Sequence, residues 1–393
     1  MSISARQSAD GARRPILVCF SHLRWDFVFQ RPQHLLSRAA RDWSVFYIEE
    51  PRFEGRNEPR LEHSTTQEGV ERLVPVLAEG SSQEDVIAHQ RSLVDAFLAR
   101  LPAPPSVAWY YTPMALRFTE HLRFPVVVYD CMDELSNFRG APPELTRLEA
   151  RLLERTDVVF TGGHSLYESK RKLHGNVHAF PSSVDTAHFA PARDRSIAEP
   201  ADLAQIAKPR IGYFGVIDER IDLDLIEAIA VARPEWQIVM IGPTAKVDPA
   251  ALPKQANIHW LGMKKYTELP RYLAGFDVGW MPFAINDATR FISPTKTPEF
   301  LAAGIPVVST PVADVVRSWG SEDLVAIAAD TQSSLAAIDQ MLAREPAGPW
   351  LSKVDVKLAE GSWDTTWRRM QDLIEAKHAP QQDVSTGRAA VAR

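Results

Sequence analysis

The sequence predicts an α/β protein made of two domains, each with a parallel sheet. Three observations predict it. Short apolar runs alternate with longer stretches of helical period, which is the rhythm of strand–helix–strand units. The rhythm is interrupted at residues 192–208, which are polar and read as an interdomain linker, and then it resumes. The length, 393 residues, suits two domains of ordinary size.

The first series opens with a buried strand from Pro15 to His22. An aromatic loop from Leu23 to Pro32 follows, and Pro32 starts a helix to Ala40. Val45–Ile48 is the next strand, which completes a strand–helix–strand unit. Residues 52–82 are polar and irregular, compatible with a long loop or with short edge strands. Strands at Val107–Tyr111, Val126–Asp130 and Asp157–Thr161 continue the sheet, with helices at 143–155 and from His164 to about Leu173. In the second series, strands are expected at Arg210–Gly215, Trp236–Gly242, Ile258–Gly262, Val278–Pro282, Val307–Val308 and Leu324–Ile327. Helices are expected at about 223–232, 267–274 and 362–376.

Composition narrows the function. A net charge of −6 argues against a general nucleic-acid binder. Arg147, Arg151, Arg155, Lys170, Arg171 and Lys172 form a local basic cluster, read as a solvated helix face, with a rim against an anionic membrane as the alternative. The two cysteines, Cys19 and Cys131, lie in apolar runs and suit a reducing cytosol. No apolar run approaches the ~18 residues of a membrane helix, and no secretory signal is read, so a cytoplasmic protein is expected. No His or Cys spacing suggests a metal site. No G-x-G-x-x-G or Walker sequence supplies a nicotinamide or P-loop device.

One stretch carries most of the chemistry: Ser293-Pro294-Thr295-Lys296-Thr297-Pro298-Glu299, followed by Phe300-Leu301-Ala302-Ala303-Gly304-Ile305-Pro306-Val307-Val308. It reads as loop, short helix and buried strand, with Thr297 as cap and Pro298 at the first helical position. Gly304 and Pro306 stop the helix. Ser293, Thr295 and Lys296 place hydroxyls and an ammonium where a phosphate would be held. Glu299 can accept hydrogen bonds from a ribose. Asp130 and Asp133 follow a buried strand and suit general-base work or the steadying of an oxocarbenium-like centre; capping the next helix is the plainer reading.

E-F-L-A-A-G-I-P-V-V resembles the second half of the motif of nucleotide-sugar glycosyltransferases of the GT-B fold, family 4 in particular. That motif is Glu, seven residues, then Glu-x-Met-Ala-x-Gly-x-Pro-Val-Val. Glu299 matches the second Glu, which in the family holds the donor ribose. The first Glu would fall at Phe291, a departure that leaves sugar recognition to other residues. Pro181, Val184, Asp185, Phe189 and Pro191 match a second family motif, with Ser182 and Ser183 in place of Asn-Gly. Val216 stands where the family has its diphosphate Arg, so Arg220 and Lys296 become the candidate cations; pairing of Arg220 with Asp218, Asp222 or Asp224 is the bland alternative.

The resemblance implies GT-B architecture: two Rossmann-like domains with parallel sheets facing across a cleft. It implies an acceptor-binding domain at 15–191, a linker at 192–208, a nucleotide-sugar-binding domain at 209–360 and a helix at 361–378 crossing back. Residues 1–14 and 379–393 read as disordered tails. Donor-binding candidates are Gly215, Arg220, Gly242, Gly262, Met263, Ser293, Thr295, Lys296 and Glu299. His22, Trp25, Asp26 and Arg31 are candidates on the acceptor side. The implied reaction moves a sugar from a UDP- or GDP-sugar to a carbohydrate, lipid-linked or small-molecule acceptor, retaining and metal-independent, with no cofactor. An inverting route through Asp130 or Asp133 is open. A same-fold epimerase and a catalytically silent binding subunit are the alternatives.

Overall fold

The computed structural model describes residues 14–55, 58–345 and 348–378. The expectations for residues 1–13 and 379–393 lie outside them, and Arg14, assigned to the tail, donates from Nη1 to Ala40 O at 3.1 Å.

The N-terminal sheet contains β1 (Ile16–Phe20), β2 (Ser44–Ile48), β3 (Arg52–Phe53), β4 (Arg60–Thr65), β5 (Glu71–Leu77), β6 (Val107–Tyr110), β7 (Val126–Cys131), β8 (Val158–Thr161) and β9 (Val177–Ala179). Their order is β3-β5-β2-β1-β6-β7-β8-β9, with β4 paired antiparallel to β5 and every other pair parallel. The C-terminal sheet contains β10 (Arg210–Phe214), β11 (Gln237–Ile241), β12 (Ile258–Gly262), β13 (Val278–Met281), β14 (Val307–Ser309) and β15 (Val325–Ile327), all parallel in the order β12-β11-β10-β13-β14-β15. In each sheet the order reverses beside the first strand of its series, β1 or β10. Open α/β sheets bind ligands beyond the carboxyl ends of strands at such a reversal.

Burial follows the two-residue period of the strands. In β1, Leu17 and Cys19 join one core, while Ile16, Val18 and Phe20 join the core on the opposite face. The first of these cores is completed from the far end of the chain. Helix Trp363–His378 contributes Trp363, Trp367, Met370 and Ile374 to it. Asp364 then pairs with Arg38 at 3.0 Å and Arg41 at 2.5 Å, beside the helix Arg31–Ala39. One continuous core fills the C-terminal half.

Of the two readings of residues 52–82, the structure takes the short strands, and β5 pairs directly with β2. Helix Gln83–Leu98 was not foreseen, because only Gln90, Val94 and Phe97 are buried and its apolar stripe is thin. Its start was legible: the Ser82 hydroxyl accepts from Asp85 N. Lys170 is not part of a solvated basic face. It is 2% exposed and ion-paired with Glu134 and Glu149. The cations around it are also answered, Arg151 by Glu120 and Glu154 and Arg171 by Glu168. Among the described residues no helix is long and apolar enough to cross a membrane.

Candidate active site

The carboxyl ends of β1, β7, β10, β11 and β13 deliver their following loops to one cleft between the two halves. The cleft has two joined chambers. The outer one, about 530 Å³, lies between the aromatic loop 25–29, the β4–β5 turn, Gly242 and Met263–Tyr266. The inner one, about 120 Å³, is lined by Arg31 and Asp133 from one side and by Arg220, Ser293, Thr295, Lys296 and Glu299 from the other. Phe29, Phe214, Gly215 and Tyr266 line both. Only the outer chamber reaches the few hundred cubic ångströms of an ordinary ligand pocket, so a long ligand would have to occupy the two together.

The glycines that end β10 and β11 let the chain approach closely. Gly215 has φ +140° and Gly242 φ +144°. A Cβ on Gly242 would meet Gly215 O at 1.8 Å, and one on Gly215 would meet Lys296 Cε at 2.2 Å. The Lys296 stem therefore lies directly over the end of β10. Its ammonium has no ion-pair or hydrogen-bond partner among the described residues and sits 6.0 Å from the Phe214 ring centre. Burial, the largest cause, lowers its pKa, with Glu299 acting in the opposite direction. Glu299, one turn on, is 5% exposed, and burial pushes its pKa up to about 7 against the pull of Lys296 and Thr295.

The helix carrying these residues starts earlier than expected. It spans Lys296–Ala302 with Thr295 at the cap position, so Pro298 stands inside the first turn. Thr297 does not cap, because it is wholly buried with its hydroxyl 3.4 Å from Met281 Sδ. Arg220 lies in the same chamber but is not a free cation. Asp218 holds it through bonds of 2.6 to 3.1 Å, and the Phe138 ring lies 5.5 Å away. Gly262 is not in the lining; its carbonyl accepts from Gly242 N at 2.9 Å behind it. Met263 is exposed and lines the outer chamber.

On the N-terminal side the two carboxylates separate. Asp130 is 0% exposed and takes three hydrogen bonds of 2.8 to 3.0 Å from Arg31, whose Nη1 also reaches Phe180 O at 2.8 Å. The pairing of Asp130 with catalysis is thereby corrected: a buried carboxylate locked to a guanidinium neither meets an acceptor nor takes its proton. Arg31, for the same reason, is not available to an acceptor anion. Asp133 lines the inner chamber, and burial raises its pKa to about 6, against the opposing pull of Arg220.

The remaining acceptor-side candidates are corrected in part. His22 lies outside both linings and is neutral, its pKa pushed to about 4 by burial and then by Lys246. Trp25 is 5% exposed, packed edge-on to Tyr47 with its Nε1 on Glu68, so it has the packed rather than the stacking fate. Asp26 is exposed at the outer rim and pairs with Arg72. The buried Glu49 accepts from Trp25 N and Arg24 and so shapes this loop.

Tyr266 was missed. Its ring lies between Phe29 at 4.5 Å and His188 at 4.0 Å, joining the two halves at the junction of the chambers. Nothing near Tyr266 in sequence marks it, because the contacts come from residues far along the chain.

Two parallel-sheet α/β halves facing one cleft define the GT-B architecture. Comparison with known proteins gives the following similarities. Residues 208–344 match the family described as "Glycosyl transferases group 1". A Bacillus subtilis (strain 168) protein, named as the teichuronic acid biosynthesis glycosyltransferase TuaH, is 29% identical over 223 residues, 51% of this chain and 54% of that protein. The matched segment thus spans about half the length of that relative. Sucrose-phosphate synthase from Thermosynechococcus elongatus superposes with a TM-score of 0.68 at 15% identity, over 92% of this chain and 99% of its own. The trehalose-phosphate synthase (UDP-forming) of Burkholderia vietnamiensis gives 0.66 at 13%, again over 92% and 99%. The E. coli trehalose-6-phosphate structure bound with UDP-2-fluoro glucose gives 0.66 at 13%, over the same shares. At such identities these structures show the fold alone. The chain resembles GT-B glycosyltransferases of the family 4 type, and the match to the group 1 family lies in its C-terminal half.

Proposed function

We propose that the protein is a glycosyltransferase that moves a hexosyl group from a nucleotide-diphosphate sugar to an acceptor hydroxyl. One observation carries the reading: Lys296, Arg220 and Glu299 of one half meet Asp133 of the other in a single chamber. Negative charge builds on the leaving diphosphate as the glycosidic bond breaks, and a desolvated ammonium with no ion-pair partner among the described residues is placed to answer it. Side-chain cations take that work, so the reading needs no metal. Glu299 takes the ribose hydroxyls. Asp133 faces the sugar, either drawing the proton from the acceptor or steadying the anomeric centre.

The UDP sugar in one fold neighbour favours a UDP donor. The name of the Bacillus relative favours a polysaccharide acceptor. The 530 Å³ outer chamber, walled by Phe27, Phe29 and Tyr266, has the aromatic lining that a sugar acceptor suits. Thermal-shift screening against UDP-, GDP- and ADP-glucose identifies the donor, and acceptor-dependent nucleotide release in EDTA then tests transfer. A stabilising nucleotide sugar with release stimulated by glycan acceptors is the expected result. Stabilisation by none of them, or release that needs an added metal, overturns this reading.

A further inference from the structure

Asp314 belongs to the C-terminal half, in the turn Ala313–Val315 after β14. Its carboxylate nevertheless caps a helix of the N-terminal half. It accepts from His164 N at 2.8 Å and Ser165 N at 2.9 Å, the first amides of helix His164–Lys170. The helix brings no cap of its own, because Gly163 stands at that position. A Cβ at Gly163 would lie 2.0 Å from Asp314 Oδ2 and 2.8 Å from Ser293 Cβ, so the closeness of the two halves itself requires glycine.

The other end of the same helix reaches the segment that follows β7 and carries Asp133. Lys170 Nζ is buried, 2.8 Å from Glu134 and 2.7 Å from Glu149. Glu134 is the chain neighbour of Asp133. The strand end leading into the helix is tied to the same segment: Gly162 N donates to Cys131 O at 2.9 Å. A Cβ on Gly162 would sit 2.5 Å from Met132 O. One short helix is thus gripped at its start by the C-terminal half and at its end by the segment that carries Asp133.

We propose that Asp314 and Lys170 are positioning residues, which through helix His164–Lys170 hold Asp133 toward Arg220 and Lys296 as long as the two halves are joined. The proposal rests on the reading of Asp133 as the group that faces the sugar. Both contacts suit the task. A carboxylate on two helix amides is a charge-assisted contact, and a buried ammonium between two carboxylates has little freedom to rearrange.

The test compares the full-length wild type with Asp314→Asn and Glu134→Ala. The second variant leaves Lys170 its Glu149 partner, so the helix keeps a buried ion pair. Amide hydrogen exchange is followed by mass spectrometry without ligand. In Asp314→Asn, exchange is expected to rise about tenfold over residues 132–138 as well as over 164–168. In Glu134→Ala it rises over 132–138 only. With the donor chosen by thermal shift, both variants lose about tenfold in kcat while the Kd of the nucleotide stays within about twofold. Exchange changes confined to 164–168 in Asp314→Asn, or equal losses in kcat and nucleotide affinity, overturn the coupling. Asp133→Asn separates the two ideas. If it keeps wild-type turnover, the role given to Asp133 falls, and the exchange data still decide whether the mechanical link exists.

Discussion

On the C-terminal rim of the cleft, Lys296 and Glu299 leave one short helix a turn apart, and among the described residues no carboxylate pairs directly with the ammonium. On the N-terminal rim, Arg31 and Asp130 come from elements 99 residues apart and neutralise each other. The first rim is left open for a ligand anion, and the second is closed on itself. Asp133, unlike Asp130, is a carboxylate of that rim that lines the chamber. The difference teaches that a charged residue at a strand end is available only if its fold has not already given it a partner. Arg220 stands between the two cases, in the chamber but held by Asp218.

The contrast between Asp130 and Asp133 gives the largest expected effect. Asp133→Asn should cost about 10²–10⁴ in turnover, with donor affinity nearly unchanged. Asp130→Asn should instead destabilise the fold by about 3–5 kcal/mol, since it leaves the Arg31 guanidinium buried without its charge partner. Steady-state kinetics beside denaturant melts separate the two. Reversed results, with turnover lost at Asp130 and stability lost at Asp133, would break the comparison.

The pH dependence sharpens it. Asp133 has a pKa raised to about 6, and in the proposed reaction it would act only when ionised. The groups that face it are Arg220, Asp218, Lys296 and Arg31. In a pH–rate profile kcat should rise about tenfold per pH unit below pH 6 and level off above it. A profile flat from pH 4.5 to 8 would mean that ionisation of Asp133 does not govern turnover, and would remove both its general-base and its electrostatic role.

A further effect concerns Glu299 before any ligand binds. Its folded pKa, about 7, lies above the ordinary carboxylate value, so the native state holds a proton that the unfolded chain releases. Stability from this group is therefore lost as pH rises between about 4.5 and 7, by at most about 1.4 kcal/mol per unit, and stays level above that. Glu299→Gln removes the slope, so the mutant should gain on the wild type between pH 5 and pH 8 in urea melts. An identical slope in both proteins would mean that Glu299 is ionised and solvated throughout.

Much of the fold was legible because its strands are short buried runs, and their parallel order follows from the helices between them. Helix Gln83–Leu98 was not, since three buried residues make too thin a stripe to read. The site divides in the same way as the rims. Ser293, Thr295, Lys296 and Glu299 are consecutive enough to form a motif, and they do converge. Asp218, two residues from Arg220, was legible as a partner for it. The pairing of Asp130 with Arg31, the cap that Asp314 places on a distant helix, and the stack of Tyr266 between Phe29 and His188 join residues from separate elements. No local pattern announces such contacts: packing within the N-terminal half makes the first, and packing of the two halves makes the other two.

The central claim is that the donor diphosphate lies in the inner chamber, against Lys296 and beside Arg220. Calorimetric titration of wild type, Lys296→Ala and Arg220→Ala with a nucleoside diphosphate and with the matching nucleoside tests it most directly. A charge-assisted hydrogen bond contributes roughly 1.5–3 kcal/mol, so Lys296→Ala should weaken the diphosphate about 10- to 100-fold. Arg220→Ala should weaken it less, because Asp218 already neutralises that cation. The nucleoside should bind all three proteins alike. Unchanged diphosphate affinity in Lys296→Ala, with the fold intact, would place the phosphates elsewhere and contradict the account.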